Sequence, residues 1–251
     1  MSPLNEAGRL YIVATPIGHL QDISLRALET LKAVDVIACE DARHTGRLLH
    51  RHGIRTPLVS YHDHNERTRA PELVERLRRG ESVALVSDAG TPLIADPGYR
   101  LVQAALAAAL PVTVIPGPSA IEPALILSGL PTHRFVFEGY LSAKPGARRR
   151  AIEAWRHEAR TVVCFETPHR LVKALQEIRE VLGEVTMAVA RELTKHFEEV
   201  RRGPVSDVLR HFEAHPPKGE FVLVLQPQTS PAEGGTSAER APHQRGESKH
   251  G

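Results

Sequence analysis

The chain of 251 residues is 41% apolar and 25% charged, close to the globular average, which excludes a fibrous or wholly disordered protein and leaves length for one large or two small domains. A formal net charge of +2 excludes a bulk polycation, so charge has to be read locally. Cys39 and Cys164 stand far apart and outside any CxxC spacing, which supports neither a disulfide framework nor a cysteine zinc site and fits a reducing cytoplasm.

The first apolar run, Leu10–Ala14, is too short for a signal peptide or a membrane span. Further apolar, β-rich runs follow at Val34–Cys39, Leu58–Tyr61, Val83–Ser87, Val112–Ile115, Phe135–Phe137, Thr161–Phe165, Val185–Ala190 and Phe221–Leu225. Most are bounded by turn residues and predict buried strands. Helical spacing lies between them, clearest at Leu25, Leu28 and Leu31 and again at Leu171, Leu175, Ile178 and Leu182. The alternation predicts an α/β fold with a largely parallel sheet. Two domains are expected, 8–120 and 121–227, dividing near Ser119–Gly129. Residues 228–251 hold Gly, Ser, Pro and charge with almost no apolar content, and predict a disordered tail.

Ligands of open α/β proteins bind at the carboxyl ends of the strands, and five such junctions stand out. Ala14-Thr15-Pro16-Ile17-Gly18 reads either as a tight turn or as a ligand loop, with Asp22 suited to cap the next helix. Ser87-Asp88-Ala89-Gly90-Thr91-Pro92 runs into Ile94-Ala95-Asp96-Pro97-Gly98, longer than a simple turn needs; Asp96 and Pro97 suit the N-cap and first helical positions. In Ile115–Glu122, Ser119 and Glu122 have capping-box spacing, and the same free amides would also attract an anion. In Phe165–Arg170, Thr167 is placed to cap and Pro168 to start a helix, leaving Glu166 to face the crevice. Arg191–Lys195 is a charged turn or part of a site. No P-loop, dinucleotide or hydrolase-elbow motif occurs. His62-Asp63-His64 lacks a third ligand, so no metal is assigned.

Two acid-free stretches are locally basic. Ala42–His62 carries Arg43, Arg47 and Arg51 at helical spacing, with Arg55 and four histidines; Gly139–Ile152 carries Lys144, Arg148, Arg149 and Arg150. Both are candidates to hold a phosphate-bearing partner. Aromatic residues are only 4% of the chain, which disfavours a processive single-strand binder.

Together, LYIVATPIGHLQDISLRALETL, CEDARHTGRLL, SVALVSDAGTPLIADPGYRLV, VIPGPSA, FVFEGYL, FETPHRL, ARELTKHFEE and PPKGEFVLVL resemble, in collinear order from about Gly8 to Leu225, the tetrapyrrole methylase superfamily. Within it they are most similar to the bacterial 16S ribosomal RNA cytidine 2′-O-methyltransferases. The resemblance implies two α/β domains with an interdomain S-adenosyl-L-methionine cleft (a class III methyltransferase) and a homodimer. It implies a cytoplasmic enzyme methylating a cytidine, 1402 of 16S rRNA, in the small ribosomal subunit near the decoding centre, with no membrane or DNA partner. Carried over by position, the implied cofactor contacts are Pro16, Asp88, Gly90, Thr91, Ile94, Ser119, Ala120, Glu166, Leu193, Gly219 and Glu220. His19 stands where the family commonly has Asn, and Ala42 where Thr is usual.

A ribose hydroxyl is a weak acid, so methyl transfer to it needs a proton acceptor or a nearby cation. Asp41, Arg43 and Lys195 are the candidates, with Asp41 equally readable as a helix cap. Methylation of a tetrapyrrole carbon, and RNA or ribosome binding without catalysis, are the competing functions.

Overall fold

The computed structural model describes residues 8–227; the tail expected over 228–251 lies outside them. Strands β1 (Leu10–Val13), β2 (Val36–Cys39), β3 (Leu58–Ser60), β4 (Val83–Val86) and β5 (Val112–Ile115) form one sheet in the order β3-β2-β4-β1-β5. All its pairings are parallel. The reason is visible in β2 and β4, whose four residues VIAC and VALV are buried on both faces, as a parallel sheet covered twice requires. Alternate residues serve opposite cores. Val83 and Leu85 pack with Leu73 and Leu77 of α3 (Glu66–Arg78) and Leu101 of α4 (Tyr99–Ala107). Ala84 and Val86 pack with Leu31 of α1 (Leu25–Ala33) and Leu48 and Leu49 of α2 (Ala42–Arg51).

The second sheet contains β6 (Phe135–Tyr140), β7 (Thr161–Glu166), β8 (Thr186–Arg191), β9 (Glu199–Pro204) and β10 (Phe221–Gln226), ordered β6-β7-β10-β8-β9. Here the expected parallel arrangement fails. Only β6 and β7 run parallel; β10 inserts antiparallel between β7 and β8, and β9 returns antiparallel beside β8. β9, Glu-Val-Arg-Arg-Gly-Pro, escapes the apolar pattern because it is an edge strand whose charges discourage further pairing. Helices α6 (Pro145–Ala154), α7 (Pro168–Leu182) and α8 (Val205–Ala214) bury one face around Cys164, Val189 and Leu223. The other face, with Val163, Ala190 and Val222, takes Ala124 and Leu125 of α5 (Ile121–Ser128) and also Ile17 from the loop after β1. Ile17 therefore anchors the first half to the second.

Helix starts differ from the sequence expectations in ways that matter to the site. Ser24, not Asp22, caps α1, accepting from the Ala27 amide at 3.1 Å. At α4, Gly98 takes the cap position at φ 140°, and Asp96 and Pro97 remain in the loop. Ala120 takes the cap position of α5, and Ser119 Oγ accepts from the Ile121 amide at 3.2 Å, without the reciprocal bond of a capping box. Thr167 makes no side-chain cap of α7. Asp41 does cap α2, accepting from the amides of Arg43 at 2.7 Å and His44 at 3.4 Å.

Candidate functional site

Loops from both sheets meet at one cleft. The Thr15 amide donates to the Gly90 carbonyl at 2.8 Å and the Gly90 amide to the Thr15 carbonyl at 3.0 Å. Gly90 needs its φ of 80° to turn the chain there, a conformation that L side chains rarely adopt. Thr91 Oγ1 donates to the Pro118 carbonyl at 3.3 Å, so the loops after β1, β4 and β5 form one unit. The His19 amide donates to Thr194 Oγ1 at 3.0 Å, tying that unit to the loop after β8. Gly18 permits this approach, since a Cβ there would lie 2.5 Å from Lys195 Cγ and 2.7 Å from Thr194 Oγ1.

The open cleft between these loops holds about 900 Å³ of non-atom space, the solvent at its mouth included. Its apolar wall is Ile17, Ile94, Phe165, Leu193 and Phe221, and its ionisable groups are Asp88, Asp96, Glu220 and Tyr140. No Lys, Arg or His lines it. Such a surface is unsuited to phosphates and suited to a ligand with an apolar ring and positive charge.

Asp96 is the most perturbed acid there. Burial, reinforced by Glu40, Asp88 and Asp63 against a bond from Ser87, pushes its pKa up to about 7. Burial and the charges of Asp88 and Asp63 also raise Glu40, and Tyr140 is raised by burial and by Glu220 and Asp96. Asp88 Oδ1 accepts from the Asp41 amide at 3.1 Å, which links the β2 and β4 ends.

Of the expected cofactor contacts, Asp88, Gly90, Thr91, Ile94, Ser119, Ala120, Leu193 and Glu220 line this cleft. Pro16, Glu166 and Gly219 do not. Their neighbours Ile17, Phe165 and Glu220 line it instead. Glu166 is buried beside the cleft: its Oε1 accepts from the Thr167 amide and from Arg170 Nη2, both at 2.7 Å, while its Oε2 has no partner among the described residues. Gly219, at φ 92°, lies so close to Glu192 that a Cβ would sit 2.4 Å from its carboxylate.

The three catalytic candidates lie off the cleft lining. Asp41 is committed to the α2 cap, and the Arg43 and His44 amides and the Arg43 charge hold its pKa below the usual carboxylate value. The Arg43 side chain is 95% exposed. Lys195 bonds Glu192 at 3.0 Å and Glu220 at 2.8 Å; burial opposes its charge, yet these bonds hold its pKa above the usual lysine value. Among the basic residues, Arg148 is a correction: its side chain is 2% exposed and paired bidentately with Glu177 at 2.7 Å. Arg149 reaches Glu153 at 3.3 Å and Glu180 at 3.5 Å. Arg43, Arg47, Arg51, Lys144 and Arg150 are exposed.

The sequence reading missed Asp96, Tyr140 and Phe165 as cleft residues. Asp96 fits a helix cap equally well, and Tyr140 and Phe165 end strands whose side-chain direction depends on register. Among the described residues no His, Cys, Asp or Glu cluster suits a metal; His62 Nε2 faces Asn65 Nδ2 at 3.3 Å. No helix among them is long and apolar enough to cross a membrane.

The family model for "Tetrapyrrole (Corrin/Porphyrin) Methylases" matches residues 9–209. The chain belongs to the tetrapyrrole methylase family. Within it, a Synechocystis protein named "Ribosomal RNA small subunit methyltransferase I" is 51% identical over 87% of this chain and 78% of its own. Proteins of the same name from Escherichia coli O157:H7 and Thermotoga maritima are 49% and 44% identical, over 88% and 87% of this chain and 79% and 98% of theirs. Two solved structures share the family fold. They are a Thermus thermophilus uroporphyrin-III-C-methyltransferase (TM-score 0.60, 23% identity, 88% of this chain, 93% of that one) and a diphthine synthase (TM-score 0.69, 18% identity, 87% and 90%). The methyl donor that the family implies is S-adenosyl-L-methionine; its adenine would suit the apolar wall, and its sulfonium and ammonium a lining with carboxylates and no cation.

Proposed function

We propose that the chain transfers the methyl group of S-adenosyl-L-methionine to the 2′-hydroxyl of a cytidine ribose in 16S rRNA, acting as a cytoplasmic homodimer on the small ribosomal subunit. The observation that carries the chemistry is the acidic, cation-free cleft built by loops of both halves; the relatives' shared name supports the RNA substrate. Bound there, the cofactor supplies an electrophilic methyl group on a cationic sulfur. Ile17, Ile94, Phe165, Leu193 and Phe221 exclude water from the reacting groups, while Asp88, Asp96 and Glu220 balance the positive charge. Fixing both reactants in one cleft supplies much of the rate enhancement through positioning.

Asp96 takes the role assigned from sequence to Asp41. A carboxylate with a pKa of about 7 is a better acceptor for the hydroxyl proton near neutral pH than one held down at a helix cap. The two-domain division at residue 120 belongs to the same proposal: α5, which follows it, packs on the second sheet, so the cleft would lie along the hinge.

The relatives' shared name favours RNA over a tetrapyrrole as the methyl acceptor. Purified protein incubated with methyl-labelled S-adenosyl-L-methionine and, separately, small subunits, 16S RNA and a tetrapyrrole precursor distinguishes the readings. Label in RNA is expected; label in the tetrapyrrole, or none despite cofactor binding, overturns the assignment.

A further inference from the structure

The two stretches that look equally basic in sequence are not equal in space. On α6, Arg148 is buried against Glu177, and Arg149 faces Glu153 one turn on and Glu180 of α7, so two of its three arginines are balanced and Arg150 alone makes no ion pair among the described residues. On α2, Arg43, Arg47 and Arg51 are exposed, and a spacing of four residues sets them on one face about 6 Å apart along the axis. Arg43 lies 3.7 Å from Asp41, the cap residue. Among the described residues the Arg47 guanidinium has one polar contact, the His44 ring at 3.4 Å, and Arg51 makes no ion pair.

The stripe ends in a second cavity. Arg51 lines a notch with His19, Thr194, Lys195 and His196. The notch and the cofactor cleft share walls: Gly18 follows Ile17 and Thr194 follows Leu193, the earlier residue of each pair lining the cleft and the later one the notch. Lys195 is already balanced by Glu192 and Glu220. The groups left to meet an anion are the Arg51 guanidinium and the imidazoles of His19 and His196; the nearest acid to His19 is Asp22 at 4.0 Å. The C-terminal end of α2 carries the negative end of the helix dipole, so any anion here is held by these side chains and not by backbone amides.

We propose that the RNA reaches the cleft along α2, with Arg43 and Arg47 holding backbone phosphodiesters and the Arg51–His19–His196 notch holding the phosphodiester next to the reacting ribose. This rests on the rRNA reading above and adds the surface that delivers the substrate. It makes α2, and not α6, the RNA track.

The test measures methylation of small subunits, and 16S RNA binding across salt concentrations, for the wild type and for Arg51→Glu, Arg47→Glu and, on α6, Arg150→Glu. Both α2 variants are expected to raise KM about tenfold or more while leaving the cofactor Kd and the thermal melt unchanged. Their plot of log K against log salt should lose about one unit of slope per phosphate contact. Arg150→Glu should match the wild type. Unchanged KM and salt slope in both α2 variants, or an equal loss in Arg150→Glu, overturns the track. A wild type that methylates no RNA overturns the rRNA reading itself, and that result is seen before any variant is compared.

Discussion

Ile94 and Leu193 come from different halves of the chain, line the same cleft, and are each flanked on both sides by non-glycine residues at positive φ. Leu93 (73°) and Ala95 (65°) bracket Ile94; Glu192 (49°) and Thr194 (64°) bracket Leu193. Left-handed backbone costs an L residue about 1–2 kcal/mol, and such costs persist where the surroundings over-determine the conformation, commonly at functional sites. Here they direct one apolar side chain from each half into the cleft. Replacing Leu193 with Asp should weaken cofactor binding at least tenfold in a calorimetric titration, because it places an anion where the apolar ring has to pack.

Gly90→Val tests the Thr15–Gly90 bridge. A β-branched residue at φ 80° is strained by about 1–3 kcal/mol and distorts the loop that carries Thr91. The expected result is a lowered Tm together with a cofactor Kd raised tenfold or more. A lowered Tm alone would place the bridge outside the site.

Asp96 gives the site a pH signature. Its folded pKa of about 7 lies above the ordinary carboxylate value, so between roughly pH 4 and 7 the folded state binds more protons than the unfolded chain. Stability therefore declines as pH rises through this window. Asp96→Asn removes the titration: its Tm should match the wild type near pH 4 and exceed it near pH 8. In the wild type, affinity for the cationic cofactor should climb as pH passes about 7, and binding should release a proton. The variant should lose about 10²-fold or more in methyl transfer, the usual scale for a lost general base.

Arg148 is predicted to matter for folding and not for RNA. Removing Arg148, 2% exposed, leaves the partly buried Glu177 carboxylate without its bidentate partner, which is destabilising. Arg148→Ala should lower Tm sharply, while its RNA affinity, measured well below that Tm, stays at the wild-type value.

Much of the architecture was legible because β1, β2, β4, β7 and β10 are continuous apolar runs. β9 was not, since an edge strand keeps its charge, and the direction of β10 was not, since apolar content is blind to strand polarity. At the site, glycine and threonine loops such as DAGTP announce themselves by composition, and eight of the expected contacts line the cleft. Glu166 and Asp96 both stand opposite to the sequence expectation for a local reason. The first found hydrogen-bond donors at the start of α7, while Gly98 took the α4 cap and left the second in the loop. Arg148 was misread because the acid that pairs with it, Glu177, is supplied by another helix.

The measurement that tests the central claim most directly is the location of the transferred methyl group. Small subunits incubated with the protein and methyl-labelled S-adenosyl-L-methionine are digested to nucleosides and oligonucleotides and analysed by mass spectrometry. Label on the ribose of a single cytidine of the 16S RNA, abolished by Leu193→Asp, is the predicted result. Label on a base, or on no RNA at all while the cofactor still binds, would contradict it.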